Sequence, residues 1–291
     1  MASIGIERTE LSEGASHEGF LRHRNYRWLK IALTLSLVLL IVYMSVNVQP
    51  RHNGGSWYGY TTGTIGALLT LWLTMLGLRK RAMTRGRWSL KAWTSAHVYL
   101  GLSLIVVATL HTGFQFGWNI HTLAYTLMML VIFSGIYGIS VYAALPQELS
   151  DNRSEMTKGQ MVDAVYKIDR QLQLAAQPLT GDETELVLDS TGINPFKAGL
   201  IRRLSGRYPN CLNRRALNEL RRRMATATGD EAEAIETVVN LLERKAAALG
   251  RIRRHMKIKA MLEVWLFIHV PVTFALIAAL AAHIISVFFY W

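Results

Sequence analysis

The sequence predicts an all-α membrane protein: five transmembrane helices in a bundle, with a small helical insert. Three observations carry this. Of the 291 residues, 51% are hydrophobic, and the mean hydropathy is +0.20, too apolar for an ordinary soluble domain. The apolar residues fall in blocks of about 20 or more, the length a helix needs to cross ~30 Å of hydrocarbon. Lysine and arginine cluster between particular blocks, as the positive-inside bias requires.

Residues 1–27 form a polar, amphipathic lead-in. The blocks 28–46, 58–78, 93–112, 121–145 and 261–290 read as spans. The first follows a charged stretch, Glu7 to Arg27, and exceeds a signal-peptide core, so it reads as a retained span. A Gly-rich loop, 47–56, follows it. The second is diluted by Thr61, Thr62, Gly63, Thr64 and Gly66, and ends in a basic loop, 79–91. The third reaches a short turn, 113–120, and the fourth carries Ser134, Gly135 and Gly138 at helix-packing spacing before stopping at Pro146. Domain limits follow as 28–146 for the first four helices, 147–259 for the insert and 260–291 for the last helix. Within the insert, 163–177, 210–226 and 230–248 look helical, and 185–189 (ELVLD) reads as a short strand. Trp291 is an interfacial aromatic.

Twelve of the 32 basic residues precede the third span or lie at its entry, and the other twenty fall between Pro146 and Lys259. With five spans and the N-terminus inside, only Arg51 falls outside. The expected topology is therefore N-terminus cytoplasmic and C-terminus periplasmic or outside, in an inner membrane. The pI near 10.0 then reports topology rather than nucleic-acid binding. The single cysteine, Cys211, excludes a disulfide, a Cys-ligated zinc, an iron–sulfur cluster and covalent c-type haem within this chain.

Histidine placement is the observation that bears on chemistry. His97 and His111 lie in the third span and His269 and His283 in the fifth, each pair 14 residues apart. Fourteen residues are close to four turns and about 21 Å of rise, so each pair shares a helix face. Two such helices running the same way would bring His97 to His269 at one depth and His111 to His283 at the other. Four imidazoles at two depths are what two non-covalent, bis-histidine b-type haems need, with iron as the bound metal. A buried imidazole that only bonds a neighbouring helix is the plainer alternative. Thr94, Ser95 or Thr273 would serve as partners of the second ring nitrogens. Gly101 and Gly113 are candidates for letting a flat macrocycle approach the backbone, and Pro271 should kink the fifth span. His121 reads as an interfacial histidine, with roles as a third axial ligand, a propionate partner or a quinone ligand open. His17, His23, His52 and His255 read as solvated, and Arg79 to Lys91 could pair with propionates.

The H-x13-H pairs on spans three and five resemble the transmembrane core of ferric reductases and NADPH oxidases, and respiratory cytochrome b. The segment 97–112 and the block HVPVTFALIAALAAHIISVFFYW (269–291) look most like small bacterial dihaem cytochromes b. The resemblance covers spans three to five and implies that His97, His111, His269 and His283 are axial ligands. It implies an electron-transfer subunit of a respiratory oxidoreductase rather than a stand-alone enzyme. No dinucleotide fingerprint appears, so electrons would come from partners: a cytoplasmic iron–sulfur or flavin protein, with a cytochrome on the outer side. The insert's basic clusters would meet an acidic partner or anionic membrane lipid. A quinone oxidoreductase or metal-reductase subunit with its own pocket, and a haem-free anchor for a cytoplasmic complex, stay open as alternatives.

Overall fold

The computed structural model describes residues 20–49, 51–81, 89–143, 158–192 and 194–289, and every regular element among them is helical. A 3-10 turn, Phe20–Arg22, leads into α1 (His23–Ser45). Then come α2 (Trp57–Arg81), α3 (Leu90–Thr112), α4 (Ile120–Ala143), α5 (Lys158–Ala175), α6 (Gly181–Ser190), α7 (Leu200–Ser205), α8 (Leu212–Met224) and α9 (Asp230–Phe289). Five of these, α1 to α4 and α9, are long and apolar enough to cross a membrane. Residues 1–19 of the expected lead-in, most of the basic loop, the region around Pro146 and Trp291 lie outside the described residues. The chain divides into two compact units, Met1–Ile136 with Ile268–Trp291, and Tyr137–Phe267.

In the first unit α3 is the hub. Of its most apolar window 44% is buried, against 11–22% for the other four helices, and α1 and α2 pack against it. Ala32, Leu73, Ala96, Leu100, Leu104, Met128, Ile132 and Leu276 form one core, and Leu39, Val48, Tyr58, Val107 and Leu110 a second. Ser89 caps α3, its Oγ accepting from Ala92 N–H at 3.2 Å. The threonines that dilute α2 donate to carbonyls of their own helix, Thr62 to Tyr58 and Thr64 to Tyr60, both at 2.8 Å, so no hydroxyl is stranded. Large apolar side chains point away from the cores (Leu33 60% and Met44 80% exposed), an arrangement that suits lipid and not water.

The second unit is built on a helical core of Leu172, Val187, Leu220, Ile235, Val238 and Leu242, continued by Val165, Leu249, Ile252 and Met256. Lys245, fully buried, runs through it to Asp169 at 2.5 Å and to the Ser190 carbonyl. Asp169 also accepts from Gly192 N–H at 3.1 Å. Cys211, at the N-cap of α8, is half-buried. Burial pushes its thiol up, but the Arg253 guanidinium donating to Sγ at 3.1 Å outweighs that and holds it below the usual thiol range.

Two expectations are corrected here. The segment 185–189 is not a strand but the middle of α6. Glu183, Val187 and Ser190 are its buried positions, a spacing of four and three that fits a helix. Glu183 also accepts from the Thr180 N–H and hydroxyl, at 3.3 and 2.8 Å, anchoring the first turn. The helix expected over 230–248 does not stop before the last span. Ala248, Leu249, Ile252, Met256 and Ala260 are all buried, so the stripe that packs in the insert continues at helical spacing. With no proline before Pro271, nothing ends the helix, and α9 stays helical through Pro271.

Candidate functional site

The structure brings the four span histidines together in the pairs their spacing predicts. The rings of His111 and His283 are 5.9 Å apart between centroids and nearly perpendicular, at 84°. His269 lies within electrostatic reach of His97. Helices α3 and α9 therefore run the same way, in register over the 14-residue interval.

Each of the four imidazoles gives its Nδ1 to the protein. His97 Nδ1 faces the Leu73 carbonyl at 3.1 Å and His111 Nδ1 the Gly59 carbonyl at 2.8 Å, both on α2. His269 Nδ1 meets Ser134 Oγ at 2.7 Å, and His283 Nδ1 meets His121 Nδ1 at 2.5 Å, both partners on α4. A carbonyl can only accept, so His97 and His111 must carry their proton on Nδ1. That tautomer presents the Nε2 lone pair, the form in which imidazole ligates a metal. The expected partners do not serve. Thr94 donates back to Leu90, Thr273 donates to the His269 carbonyl at 2.7 Å, and Ser95 Oγ is buried with no hydrogen-bond partner among the described residues. A main-chain carbonyl has no residue type to betray it, so the sequence pointed to hydroxyls instead.

The surroundings favour neutral rings. Residues 19–147 and 264–291 contain no aspartate or glutamate at all. No carboxylate from those segments is available to hold any of these imidazoles as a cation, and an unpaired cation in an apolar bundle is costly. This was legible in the sequence as a gap in the acidic residues.

Glycines make the room. A Cβ on Gly63 of α2 would lie 2.7 Å from His111 Cε1 and 2.9 Å from its Nδ1, and one on Gly54 3.4 Å from Cε1. Gly63 sits one turn after Gly59, so the same stretch of α2 supplies the acceptor for the His111 ring and the space it fills. A Cβ on Gly135 would lie 3.8 Å from His269 Cε1. Gly101, on α3 between the two levels, has nothing within 4 Å of its Cβ position, the open space that a flat group beside α3 would need. Gly113 has a different role from the one expected. It ends α3 in the left-handed region (φ 58°), and a Cβ there would meet the His52 carbonyl oxygen at 2.2 Å. Backbone geometry and loop packing account for Gly113 without a macrocycle.

His121 has a partner that the sequence did not point to. It is exposed, but its ring lies 4.6 Å from that of His283, at 87°, and shares the short Nδ1 contact. It belongs to the His111 level of the site. His52 is half-buried rather than solvated, stacked on Tyr43 with centroids 4.0 Å apart.

Fold and site together define a helical membrane protein with two levels of paired, neutral imidazoles. Comparison with family models, curated proteins and solved structures returns no match.

Proposed function

We propose that this protein is a b-type cytochrome that carries electrons across the bilayer between two non-covalently held haems. His97 and His269 hold one, and His111 and His283 hold the other. The observation that carries the reading is the Nδ1 engagement of all four rings at two levels, in a bundle whose residues 19–147 and 264–291 lack carboxylates. When bound, each haem would supply reversible one-electron storage, held by His97 with His269 or by His111 with His283. The chain's own residues orient and insulate. Leu73 and Gly59 set the tautomers on α3, Ser134 and His121 hold the rings on α9, and the apolar cores exclude water. Lysine and arginine placement supports an orientation with the His97 level toward the cytoplasm and the His111 level toward the outside of an inner membrane. The insert's basic clusters then face cytoplasmic redox partners, an iron–sulfur or flavin protein with an acidic surface.

A pyridine haemochrome assay with redox titration on the purified chain tests this. Two b-haems per chain with separate midpoints are expected, and protein without a Soret band would refute the reading. His111→Ala should lower the count from two to one and spare the haem at His97, whereas equal loss of both would contradict the two levels. His121→Leu removes the Nδ1 partner of His283 and should weaken haem retention at that level by about 10- to 100-fold. His121→Asn, which keeps a polar group at that position, should restore much of it. If leucine and asparagine behave alike in haem content and midpoint, His121 does not orient His283.

A further inference from the structure

A second constellation lies in the other unit. Met161, Phe196, Arg203, His255, Met256, Lys259 and Glu263 line a cavity of about 170 Å³, room for several water molecules. Its lining combines apolar side chains (Met161, Phe196, Met256) with charged ones (Arg203, Lys259, Glu263). Arg203 Nη2 donates to Glu263 at 2.8 Å, which uses one arm of the guanidinium, while its Nε–H is enclosed with no acceptor among the described residues. Lys259 makes no ion pair among the described residues, so with Arg203 and Glu263 neutralising each other the cavity keeps one uncompensated positive charge.

Two observations say what chemistry fits. Glu263 is the last Asp, Glu, Lys or Arg of the chain, and an uncharged run from Val264 follows it on the same helix. Lys259 precedes that run by five residues, roughly 7.5 Å of rise, the depth of a headgroup rather than of a hydrocarbon tail. Beside the cavity, α7 (LIRRLS) carries Ile201, 82% exposed, two residues from Arg203, and α9 carries Phe267, 80% exposed. Apolar side chains left bare next to arginines are the composition of a lipid-facing surface.

We propose that this cavity binds the phosphate headgroup of an anionic phospholipid. Arg203 and Lys259 hold the phosphate oxygens, and the acyl chains pass along Leu266 and Phe267. A soluble phosphate offers the same oxygens without the chains, so the test must separate the two. The full-length protein in neutral detergent is titrated with phosphatidylglycerol, phosphatidylcholine and inorganic phosphate, and bound molecules are counted by native mass spectrometry.

The expected result is one phosphatidylglycerol retained at least tenfold more tightly than phosphatidylcholine, and not displaced by equimolar phosphate. Lys259→Gln should reduce that retention about tenfold, and Lys257→Gln, which lies outside the cavity, should not. Arg203→Gln also breaks the pair with Glu263 and risks local unfolding, so the exposed Lys259 carries the decision. Equal retention of the two lipids, displacement by phosphate, or indifference to Lys259→Gln would each overturn the assignment.

Discussion

Gly63→Val is expected to remove the haem at the His111 level while leaving the His97 level filled, halving the haemochrome yield per chain. At Gly63 a Cβ alone would sit 2.7 Å from His111 Cε1, about an ångström inside normal carbon–carbon contact. Valine adds two methyl groups to that collision. The ring cannot retreat without giving up the Gly59 carbonyl at 2.8 Å, which fixes its tautomer. Nor can α2 withdraw easily, because Gly66 on the next turn packs against Val107 of α3. The control is Gly66→Ala, whose Cβ would meet Val107 Cγ1 at 3.5 Å, ordinary contact. That variant should keep both haems. If Gly63→Val also keeps both, His111 is not a ligand at this site.

Lys245→Met is expected to have the largest effect on the insert. Lys245 is fully buried, and replacing it leaves Asp169, 6% exposed at its side chain, as an unpaired charge in the core. Breaking one side of a buried pair costs about 3–5 kcal/mol. The Ser190 carbonyl loses its donor as well. Amide hydrogen exchange in the fully buried turns around Leu172 and Leu242 reports opening of the insert. A loss of that size should speed that exchange by roughly two to nearly four orders of magnitude. The double variant Asp169→Leu/Lys245→Met removes both charges and should recover most of the protection. A single variant whose buried amides exchange within about threefold of the parent would show that the pair contributes little.

How far the sequence reached depended on what kind of group carried each feature. The five spans were legible because apolar blocks and basic loops are written in side-chain types. Both histidine levels were legible because a 14-residue interval translates directly into helix geometry. The continuity of α9 was not, since a charged stretch such as 251–259 looks like a connection until Ile252, Met256 and Ala260 are seen to bury one face. In α6 the segment ELVLD is three apolar residues between two carboxylates, too short a run to separate a period of 2 from one of 3.6. Its capping contacts with Thr180, which settle the matter, lie outside the segment itself. His121 was read as an interfacial histidine because its partner is 162 residues away in sequence. Gly63 looked like a dilution of a span when it was the space for a ring.

The two helices that present the imidazoles are supported by different kinds of atom, and this has an evolutionary consequence. On α3 the acceptors are peptide oxygens of Leu73 and Gly59, which no single side-chain replacement can delete. For the two α9 rings the partners are the hydroxyl of Ser134 and the ring of His121, which one codon change can alter. In the proposed cytochrome, natural variation should therefore adjust the electronic character of each haem through its α9 histidine alone, with the α3 histidine as a constant reference, one adjustable side per level.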